Sequence, residues 1–381
     1  MPIEIGIVGA GNRGKTHARS LARLEDADVV AVADIDQDAA NELADEYDVP
    51  AVYGDFRDML DDASLDAISV CVHNNLHAPV TIPAAEAGCH VFCEKPIAAT
   101  YHDGKRMVDA VNEAGVRLDV QNGRLFSDTH RAASRLVDDG ALGDPIYARG
   151  SYVRRRGRPF VDGYGTPGFV QSDHAGGGAV IDIGVYVIGQ LLHLVGNGNV
   201  ERVSGRAVDQ TGDGYDPELV GADADYRDRV DTAGYDVEDL GFGTAYLEDG
   251  TAVSVVAAWH LFGPSEPMYV AGTKGGVRLD EFEYYTTDRD YEATVSYDLG
   301  EHTVRRGRID GDARYQDDDY ARQFHHWIQQ IQGTPDLDIP TGELALNAMM
   351  LMEGMYLSEE EGRELTAAEI DELSSSSAVD L

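Results

Sequence analysis

Cysteine and long apolar runs are scarce in this sequence. Its three cysteines, Cys71, Cys89 and Cys93, are too few for a disulfide framework, and we interpret them as reduced, buried thiols. Cys89 and Cys93 flank His90, but this stretch has the pattern of a buried strand and too few ligands, so we predict no metal site. No apolar run reaches the roughly 18 residues that cross a bilayer. The opening Met1–Ile5 lacks the pattern of a signal peptide, so we expect a cytoplasmic protein without a membrane partner.

Acidic residues outnumber basic residues by more than two to one. The chain has 69 aspartate and glutamate residues against 30 lysine and arginine residues, for a net charge of −39. A surface this acidic repels nucleic acids and anionic membranes, so we predict neither as a partner. The acid is spread over the whole chain and lysine occurs only four times, a composition typical of a halophile's protein. We predict that high salt screens the self-repulsion and stabilises the fold.

The first third of the chain alternates short apolar runs with amphipathic ones, which predicts parallel βαβ units. We expect strands at Ile3–Val8, Val29–Ala33, Ala67–Val72, His90–Cys93 and Arg117–Val120, and helices at Arg13–Leu24, Gln37–Tyr47, Pro79–Ala87 and Asp103–Ala114. This pattern predicts an α/β Rossmann domain over residues 1–122.

After about Gln121 the pattern changes to runs rich in β-branched and aromatic residues, separated by turn signals. We expect strands at Ile146–Arg154, Val200–Val208, Thr244–Leu247, Ala252–Ala258, Met268–Gly272 and Val277–Asp280, and helices at His130–Asp138, Asp319–Gln332 and Gly342–Ser358. Residues 123–381 are therefore predicted to form an α+β domain with a large, mainly antiparallel open sheet, whose C-terminal helices pack back on the first domain. We also expect a long surface loop within Asp209–Asp239 and a frayed tail at Ser374–Leu381.

A glycine-rich turn between the first strand and the first helix indicates dinucleotide binding. In Gly9-Ala10-Gly11-Asn12-Arg13-Gly14 the glycines permit a tight turn and close approach of the backbone to a pyrophosphate, which sits at the helix N-terminus. The second strand ends at Asp34, about 20 residues further on, as the dinucleotide fingerprint requires. Asp34 favours NAD because it would accept hydrogen bonds from the ribose and repel a 2′-phosphate. Ile35 follows instead of an arginine, but Arg13 leaves NADP possible.

Two further motifs carry candidate chemistry. Glu94-Lys95-Pro96 follows a predicted parallel strand, where open α/β sheets bind ligands, and a partly buried lysine can change its pKa whereas arginine cannot. Later, the glycine run Gly176–Gly178 leads into an apolar helix that carries Asp182 and Tyr186 four residues apart, on one helix face. An aspartate in such an apolar run needs a polar partner.

Together, these motifs resemble the glucose–fructose oxidoreductase, inositol dehydrogenase and rhizopine-catabolism (Gfo/Idh/MocA) family over nearly the whole chain. The matching segments are Gly9–Gly14, Asn74–His77, Glu94–Pro96, Gly140–Pro145, Arg154–Pro159, Gly176–Tyr186, Val237–Asp239, Gly272–Gly275 and Gly342–Tyr356. Two positions depart from the family pattern: Tyr186 stands where many members have histidine, and His73 stands where proline is common.

The resemblance implies an NAD(P)-dependent oxidoreductase that acts on a sugar, a polyol or a related cyclic carbinol, and a homodimer or homotetramer. It assigns catalysis to Lys95, Asp182 and Tyr186, and it adds further contacts to the cofactor, from Asn74, His77, Glu94 and Lys95. On this view Tyr186 is the base, with its pKa lowered by the Lys95 cation, and Asp182 orients Lys95 or binds the sugar. Candidate substrate ligands are Arg124, Arg156, His174 and Asp182.

Two other functions stay open on the sequence alone. One is a glycosidase that oxidises and re-reduces its sugar on a bound NAD, with no net NADH formed. The other is a non-catalytic NAD-binding regulator, against which the joint presence of Lys95, Asp182 and Tyr186 argues.

Overall fold

The first domain of the computed structural model is built on a parallel sheet. The structure describes residues 2–209, 229, 232–300, 305, 313–315, 317–335 and 337–379. The strands are β1 Ile3–Val8, β2 Ala27–Ala33, β3 Ala51–Tyr53, β4 Ala67–Val70, β5 His90–Cys93 and β6 Leu118–Val120. They lie in the order β3-β2-β1-β4-β5-β6, all parallel. The strand order reverses between β1 and β4, and open sheets of this kind bind ligands beyond the carboxyl ends of the strands at that point.

The helices of this domain are α1 Asn12–Leu21, α2 Gln37–Tyr47, α3 Phe56–Asp62, α4 His77–Glu86 and α5 Tyr101–Ala114. Their N-termini are set by short polar side chains. Asp36 caps α2 by accepting hydrogen bonds from the backbone N–H groups of Asp38 and Ala39, and Thr100 caps α5 by accepting one from Asp103. These caps fix where each loop leaves the carboxyl edge of the sheet.

The second domain is built on a nine-stranded sheet. Its strands are β7 Pro145–Val153, β8 Val200–Val208, β9 Leu240–Leu247, β10 Ala252–Ala258, β11 Tyr269–Gly272, β12 Gly276–Arg278, β13 Glu283–Asp288, β14 Tyr291–Ser296 and β15 Leu365–Thr366. They lie in the order β14-β13-β12-β11-β7-β10-β9-β8-β15. Only the central pair β7 and β10 is parallel; the other neighbours are antiparallel.

Helices of the second domain pack against this sheet or lie at its junction with the first domain. They are α6 Asp128–Asp138, α7 Ser172–Ala175, α8 Val185–Leu194, α9 Asp319–Ile331, α10 Thr341–Glu361 and α11 Ala367–Leu373. Glycines in the strands let two of them approach closely, because a Cβ on Gly150 would lie 2.8 Å from Val187 of α8, and one on Gly205 would lie 2.6 Å from Met355 of α10. The α9 helix returns to the first domain, where Phe324 packs on Phe92 of β5 with ring centroids 4.3 Å apart.

The predicted fold class is confirmed, and several elements have the predicted bounds to the residue. The sequence analysis missed the short elements β3, α3 and α11 and the exposed hairpin of β13 and β14. The predicted loop within Asp209–Asp239 lies mostly outside the described residues, which here are 209, 229 and 232–239.

The prediction of a frayed C-terminal tail is wrong for Ser374–Val379. Ser374 donates a hydrogen bond to the Glu353 carboxylate at 2.9 Å, and Ser376 donates one to the Asp103 carboxylate at 2.7 Å. The backbone N–H of Ser377 donates to the same aspartate at 3.0 Å. Buried carboxylates therefore hold a segment whose serine-rich composition predicts disorder. The last two residues lie outside the described part of the chain.

One helical stretch, Ser172–Leu194, is long and apolar enough to cross a membrane, although the sequence analysis found no such run. In the fold, 83% of its most apolar 18-residue window is buried inside the protein. Its apolar character is explained by packing between the two domains.

Candidate active site

The glycine-rich turn lies between β1 and α1 at the point where the strand order reverses. Gly9 has a φ of +100°, in the region that favours glycine, and a Cβ on Gly14 would lie 2.0 Å from the Gly9 carbonyl oxygen. A Cβ on Gly11, in contrast, would meet nothing within 4 Å. The protein therefore leaves no room for a side chain at Gly9 or Gly14, whereas space is open at Gly11, beside Asn12 at the N-terminus of α1. This cradle fits the pyrophosphate of a dinucleotide.

Asp34 follows β2 and faces this turn. Its carboxylate accepts hydrogen bonds from the backbone N–H groups of Ala10 at 2.6 Å and Asp36 at 2.8 Å. The next side chain, Ile35, is 94% exposed. Asp34 thus places a negative charge at the position where the fingerprint expects the ribose of the adenosine half.

Arg13 points away from Asp34. Its guanidinium donates a hydrogen bond to the Tyr320 hydroxyl at 3.0 Å and lies 3.9 Å from the Glu94 carboxylate. Since that carboxylate holds the guanidinium near β5, Arg13 is not positioned to receive a 2′-phosphate beside Asp34. The sequence-based suggestion that Arg13 leaves NADP possible stays a prediction.

Glu94 is buried at the end of β5 among several donors. Its carboxylate accepts hydrogen bonds from the Tyr320 hydroxyl at 2.7 Å and from the backbone N–H of Lys95 at 3.2 Å, and it lies 3.1 Å from His17 Nε2. Burial opposes ionisation, but the hydrogen bond and charge of His17, with Arg13 and Tyr320, lower the pKa of Glu94 to about 2. Glu94 is therefore an anion that fixes the start of the Glu94–Pro96 segment.

Lys95 and Asp182 form a buried ion pair between the two domains. Lys95 Nζ donates hydrogen bonds to the Asp182 carboxylate and to the Asp182 carbonyl oxygen, both at 2.7 Å. The second carboxylate oxygen accepts a hydrogen bond from Trp259 Nε1 at 2.9 Å. Burial alone would disfavour both charges, yet the pair raises the pKa of Lys95 and lowers that of Asp182. Both groups are charged at neutral pH.

Tyr186 lies beside this pair, with Lys95 Nζ 5.2 Å from the centre of its ring. The sequence analysis predicted that the lysine lowers the pKa of the phenol. The Lys95 charge acts in that direction, but burial is the larger effect and raises the pKa of Tyr186. The predicted lowering of the Tyr186 pKa is therefore not found, because burial outweighs the Lys95 charge, and the assignment of Tyr186 as the base stays a prediction. Tyr186 is a neutral hydroxyl group at neutral pH.

A π-helical turn, Val180–Gly184, carries Asp182 and precedes α8. Such turns are frequent at functional sites because they change the register of backbone hydrogen bonds. Here the Asp182 carbonyl oxygen accepts its bond from Lys95. The buried Glu238 carboxylate holds the start of this turn by accepting hydrogen bonds from the N–H groups of Gly178 at 2.7 Å and Val180 at 2.9 Å.

Glu238 also accepts a hydrogen bond from the Tyr356 hydroxyl at 2.9 Å, and burial raises its pKa from 4.5 to about 7. A raised carboxyl pKa contributes stability that is complete below pH 4.5 and is lost as the pH rises through about 7. In Glu238→Gln this loss is absent. We therefore expect the unfolding free energy of the variant, measured by denaturant titration relative to wild type, to rise between pH 4.5 and pH 8. Tyr356→Phe keeps the carboxyl but removes a hydrogen bond that lowers its pKa, so it should retain the loss of stability and extend it to higher pH. A constant difference between Glu238→Gln and wild type would contradict the expectation.

The other predicted cofactor residues lie at the junction of the domains. Asn74 donates a hydrogen bond to the Ala175 carbonyl oxygen at 2.8 Å, and so ties the loop after β4 to the second domain. His77 is buried and lies 2.9 Å from the Pro96 carbonyl oxygen, so it supports the Lys95 segment from behind. These contacts position the cofactor-side loops.

The predicted substrate ligands are only partly brought together. Arg124 lies at the site, with its guanidinium carbon 5.3 Å from the centre of the Tyr186 ring. Arg156 instead lies 3.5 Å from Asp162 in the loop after β7. His174 stacks on His73 with ring centroids 5.6 Å apart and lies 2.9 Å from the Gln171 side-chain oxygen.

The structure adds residues that sequence reasoning missed. They are His17, Trp259, Glu238, Tyr320, Tyr152 and Arg154. Trp259 carried a usable signal as one of only two tryptophans, placed directly after a predicted strand. Glu238 and Arg154 lie in segments that carried the family resemblance but had no role assigned to them, whereas no local pattern pointed to His17, Tyr320 or Tyr152.

A cleft lies between the N-terminal end of α1 and the ion pair. Its lining residues include Arg13, Asn74, Glu94, Lys95 and Asp182. Within the described residues, no cluster of three or more metal-ligating side chains is found. The cleft therefore combines a dinucleotide cradle with a charged donor and acceptor pair.

Comparison with known proteins agrees with this arrangement. Residues 3–122 match the family model of the Gfo/Idh/MocA oxidoreductases with an NAD-binding Rossmann fold, and residues 130–278 match the C-terminal domain of the same family. The two matches together span more than half of the chain.

Individual relatives support the same conclusion. A D-glucoside 3-dehydrogenase of Escherichia coli is 29% identical over 365 residues, which cover 95% of this chain and 96% of that protein. An inositol 2-dehydrogenase of Klebsiella pneumoniae is 40% identical over 153 residues, which cover 39% of this chain and 45% of that protein. A crystal structure of an NAD binding oxidoreductase from Klebsiella pneumoniae shares the fold with a TM-score of 0.77 at 21% identity, over 96% of this chain and 99% of that one. The chain belongs to the Gfo/Idh/MocA family of NAD-binding oxidoreductases.

Proposed function

We propose that the protein is an NAD-dependent dehydrogenase that oxidises a secondary hydroxyl group of a sugar or polyol. The observation that carries this proposal is the Lys95–Asp182 ion pair, which lies in the same cleft as the dinucleotide cradle. The sugar class is supported by the full-length relative, a D-glucoside 3-dehydrogenase.

The cradle residues hold the cofactor, with the pyrophosphate over Gly11 and the adenosine ribose on Asp34. Bound NAD supplies the hydride acceptor for the carbon that bears the reacting hydroxyl group. No metal is needed, since the protein's own cation stands where the oxygen of that group develops charge.

Lys95 binds the reacting oxygen. Its ammonium group has three donors, of which Asp182 takes two through its carboxylate and carbonyl oxygens. The remaining donor stabilises the alkoxide that develops during oxidation, while the ammonium group keeps its own proton. Asp182 keeps Lys95 charged and fixed, and Trp259 in turn fixes Asp182.

Tyr186 contributes a neutral hydroxyl group rather than a phenolate. No hydrogen bond of this hydroxyl is recorded within the described residues, so it is available to the substrate. We assign it the relay that passes the substrate proton from the oxygen beside Lys95 toward solvent. A neutral relay accepts one proton as it donates another, so the raised pKa of Tyr186 does not prevent the step.

The test is absorbance of reduced nicotinamide, with NAD and a panel of aldoses, glycosides, inositols and sugar acids. Signal with one class of substrate establishes a dehydrogenase. Release of an aglycone from glycosides without net NADH would instead show a glycosidase that oxidises its sugar transiently. Tight NAD binding with neither activity would show a regulator.

We further propose a cytoplasmic homodimer or homotetramer that is adapted to high salt. The net charge of −39 and the spread of the acid along the chain support the salt requirement. Dialysis from about molar salt to low salt is expected to lower Tm, as measured by circular dichroism, because screening of the surface charges is lost. An unchanged Tm would contradict the salt requirement. Light scattering in the same buffers measures the oligomeric state.

A further inference from the structure

Arg124 presents an unusual cation beside the ion pair. Its guanidinium carbon lies 4.4 Å from the centre of the Tyr152 ring and 5.3 Å from that of Tyr186. Arg124 also donates a hydrogen bond to the Tyr152 hydroxyl group, and because a guanidinium has five N–H donors, others remain for a ligand. Arg124 is half-buried and lies in the short helical turn Gly123–Phe126.

A second cation, Arg154, lies on the other side of Tyr152. Its guanidinium carbon is 5.3 Å from the centre of the same ring, and it donates a hydrogen bond to the Tyr164 hydroxyl at 2.7 Å. Burial alone would raise the pKa of Tyr152, but the hydrogen bonds and charges of Arg154 and Arg124 outweigh it and lower that pKa. Both arginines therefore act on one point of the cleft.

Neither arginine has a carboxylate within 4 Å among the described residues. This is unexpected in a chain with 69 acidic residues, where arginines such as Arg117 and Arg206 have carboxylates within 3 Å. Asp182 acts on Arg154 only at longer range, and its carboxylate is already bound by Lys95 and Trp259. Two cations close to each other and without a counterion favour an anionic ligand.

We propose that the substrate is a sugar or polyol that carries a carboxylate, bound by Arg124 and Arg154 while its reacting hydroxyl group contacts Lys95. A carboxylate fits better than a phosphate because one Arg154 nitrogen already binds Tyr164 and Gly157. The guanidinium group of Arg124 is then the main donor, and its paired N–H groups match the two oxygens of a carboxylate. This inference rests on the proposed dehydrogenase function and narrows its substrate class.

The test compares matched substrates with NAD in the lowest salt that keeps the protein folded. Hexuronates and aldonates are assayed beside their methyl esters or lactones, the parent neutral sugars and hexose 6-phosphates. We expect kcat/KM for the best acid to exceed that for its neutral counterpart by about a hundredfold, as for charge-assisted hydrogen bonds in a desolvated site.

Variants of Arg124 test whether this residue causes the preference for the acid. Arg124→Gln should reduce the preference to below about tenfold, chiefly by raising KM for the acid. Arg124→Lys should restore part of it, since the charge returns without the paired N–H groups. Arg149→Gln is the matched control, because Arg149 lies on the same strand as Tyr152 but pairs with Glu266 at the surface.

The outcomes separate the two proposals. Equal or better turnover of neutral sugars, or a preference for the 6-phosphates, would overturn the carboxylate assignment and leave the dehydrogenase function in place. A preference for acids that persists in Arg124→Gln would also overturn the assignment. No NADH with any substrate would overturn both.

Discussion

Replacement of Lys95 by alanine is expected to lower kcat by a factor of about a thousand while NAD still binds. Lys95 supplies the charge that stabilises the developing alkoxide, and loss of one such donor typically lowers kcat by roughly a hundredfold to a thousandfold. NAD binding should persist because the cradle of Gly9, Gly11 and Gly14 does not involve the lysine side chain. The measurements are steady-state kcat and equilibrium NAD binding followed by protein fluorescence.

Two control variants accompany this experiment. Lys105→Ala removes a half-exposed lysine that pairs with Asp371 at 2.7 Å, away from the cleft, and should leave kcat unchanged. Loss of Lys95 leaves the Asp182 carboxylate buried without its partner, so the fold is checked by circular dichroism and by the double variant Lys95→Ala, Asp182→Asn, which removes both charges. A folded Lys95→Ala variant with near-normal kcat would contradict the assignment.

The second large effect concerns discrimination between NAD and NADP. Asp34 places a carboxylate where a 2′-phosphate would lie, and Arg13 is held by Glu94 and Tyr320. We expect Asp34→Asn, which keeps an acceptor oxygen for the Ala10 N–H, to shift the ratio of kcat/KM for NAD over NADP toward NADP by about a hundredfold. Close approach of the Asp34 carboxylate and the 2′-phosphate costs several kcal/mol, and this variant removes that repulsion.

Asp36→Ala is the control for this variant. It removes a neighbouring carboxylate whose side chain caps α2, so it should lower stability by about 1 kcal/mol and leave the cofactor ratio nearly unchanged. If Asp34→Asn left the ratio unchanged, or if wild type preferred NADP, the role given to Asp34 would be wrong.

Much of the fold follows from local patterns in the sequence. The alternation of apolar runs with amphipathic runs predicts the parallel sheet, and Gly9–Gly14 with Asp34 marks its ligand edge because each glycine has a steric reason to be there. Lys95 was recognisable since it directly follows a parallel strand. Elements such as β3 and the β13–β14 hairpin were missed because they are short or have no apolar face to bury.

The rest depends on contacts between distant segments. Glu238 lies about 60 residues from the turn that it holds, and Tyr320 reaches Glu94 from a helix 226 residues away in sequence. Which arginine of the run Arg154–Arg158 faces the cleft is decided by where β7 ends. The pKa of Tyr186 depends on the balance between burial and the Lys95 charge, which no sequence pattern records.

Direct transfer of hydrogen from substrate to NAD tests the central claim most directly. The best substrate of the panel is labelled with deuterium on the carbon that bears the reacting hydroxyl group, and the reduced cofactor is analysed by mass spectrometry and NMR. The account predicts one deuterium at C4 of the nicotinamide for each ketone formed with wild type, and the same labelled product at a rate about a thousandfold lower with Lys95→Ala. Loss of the label to solvent, or turnover without reduced nicotinamide, would contradict it.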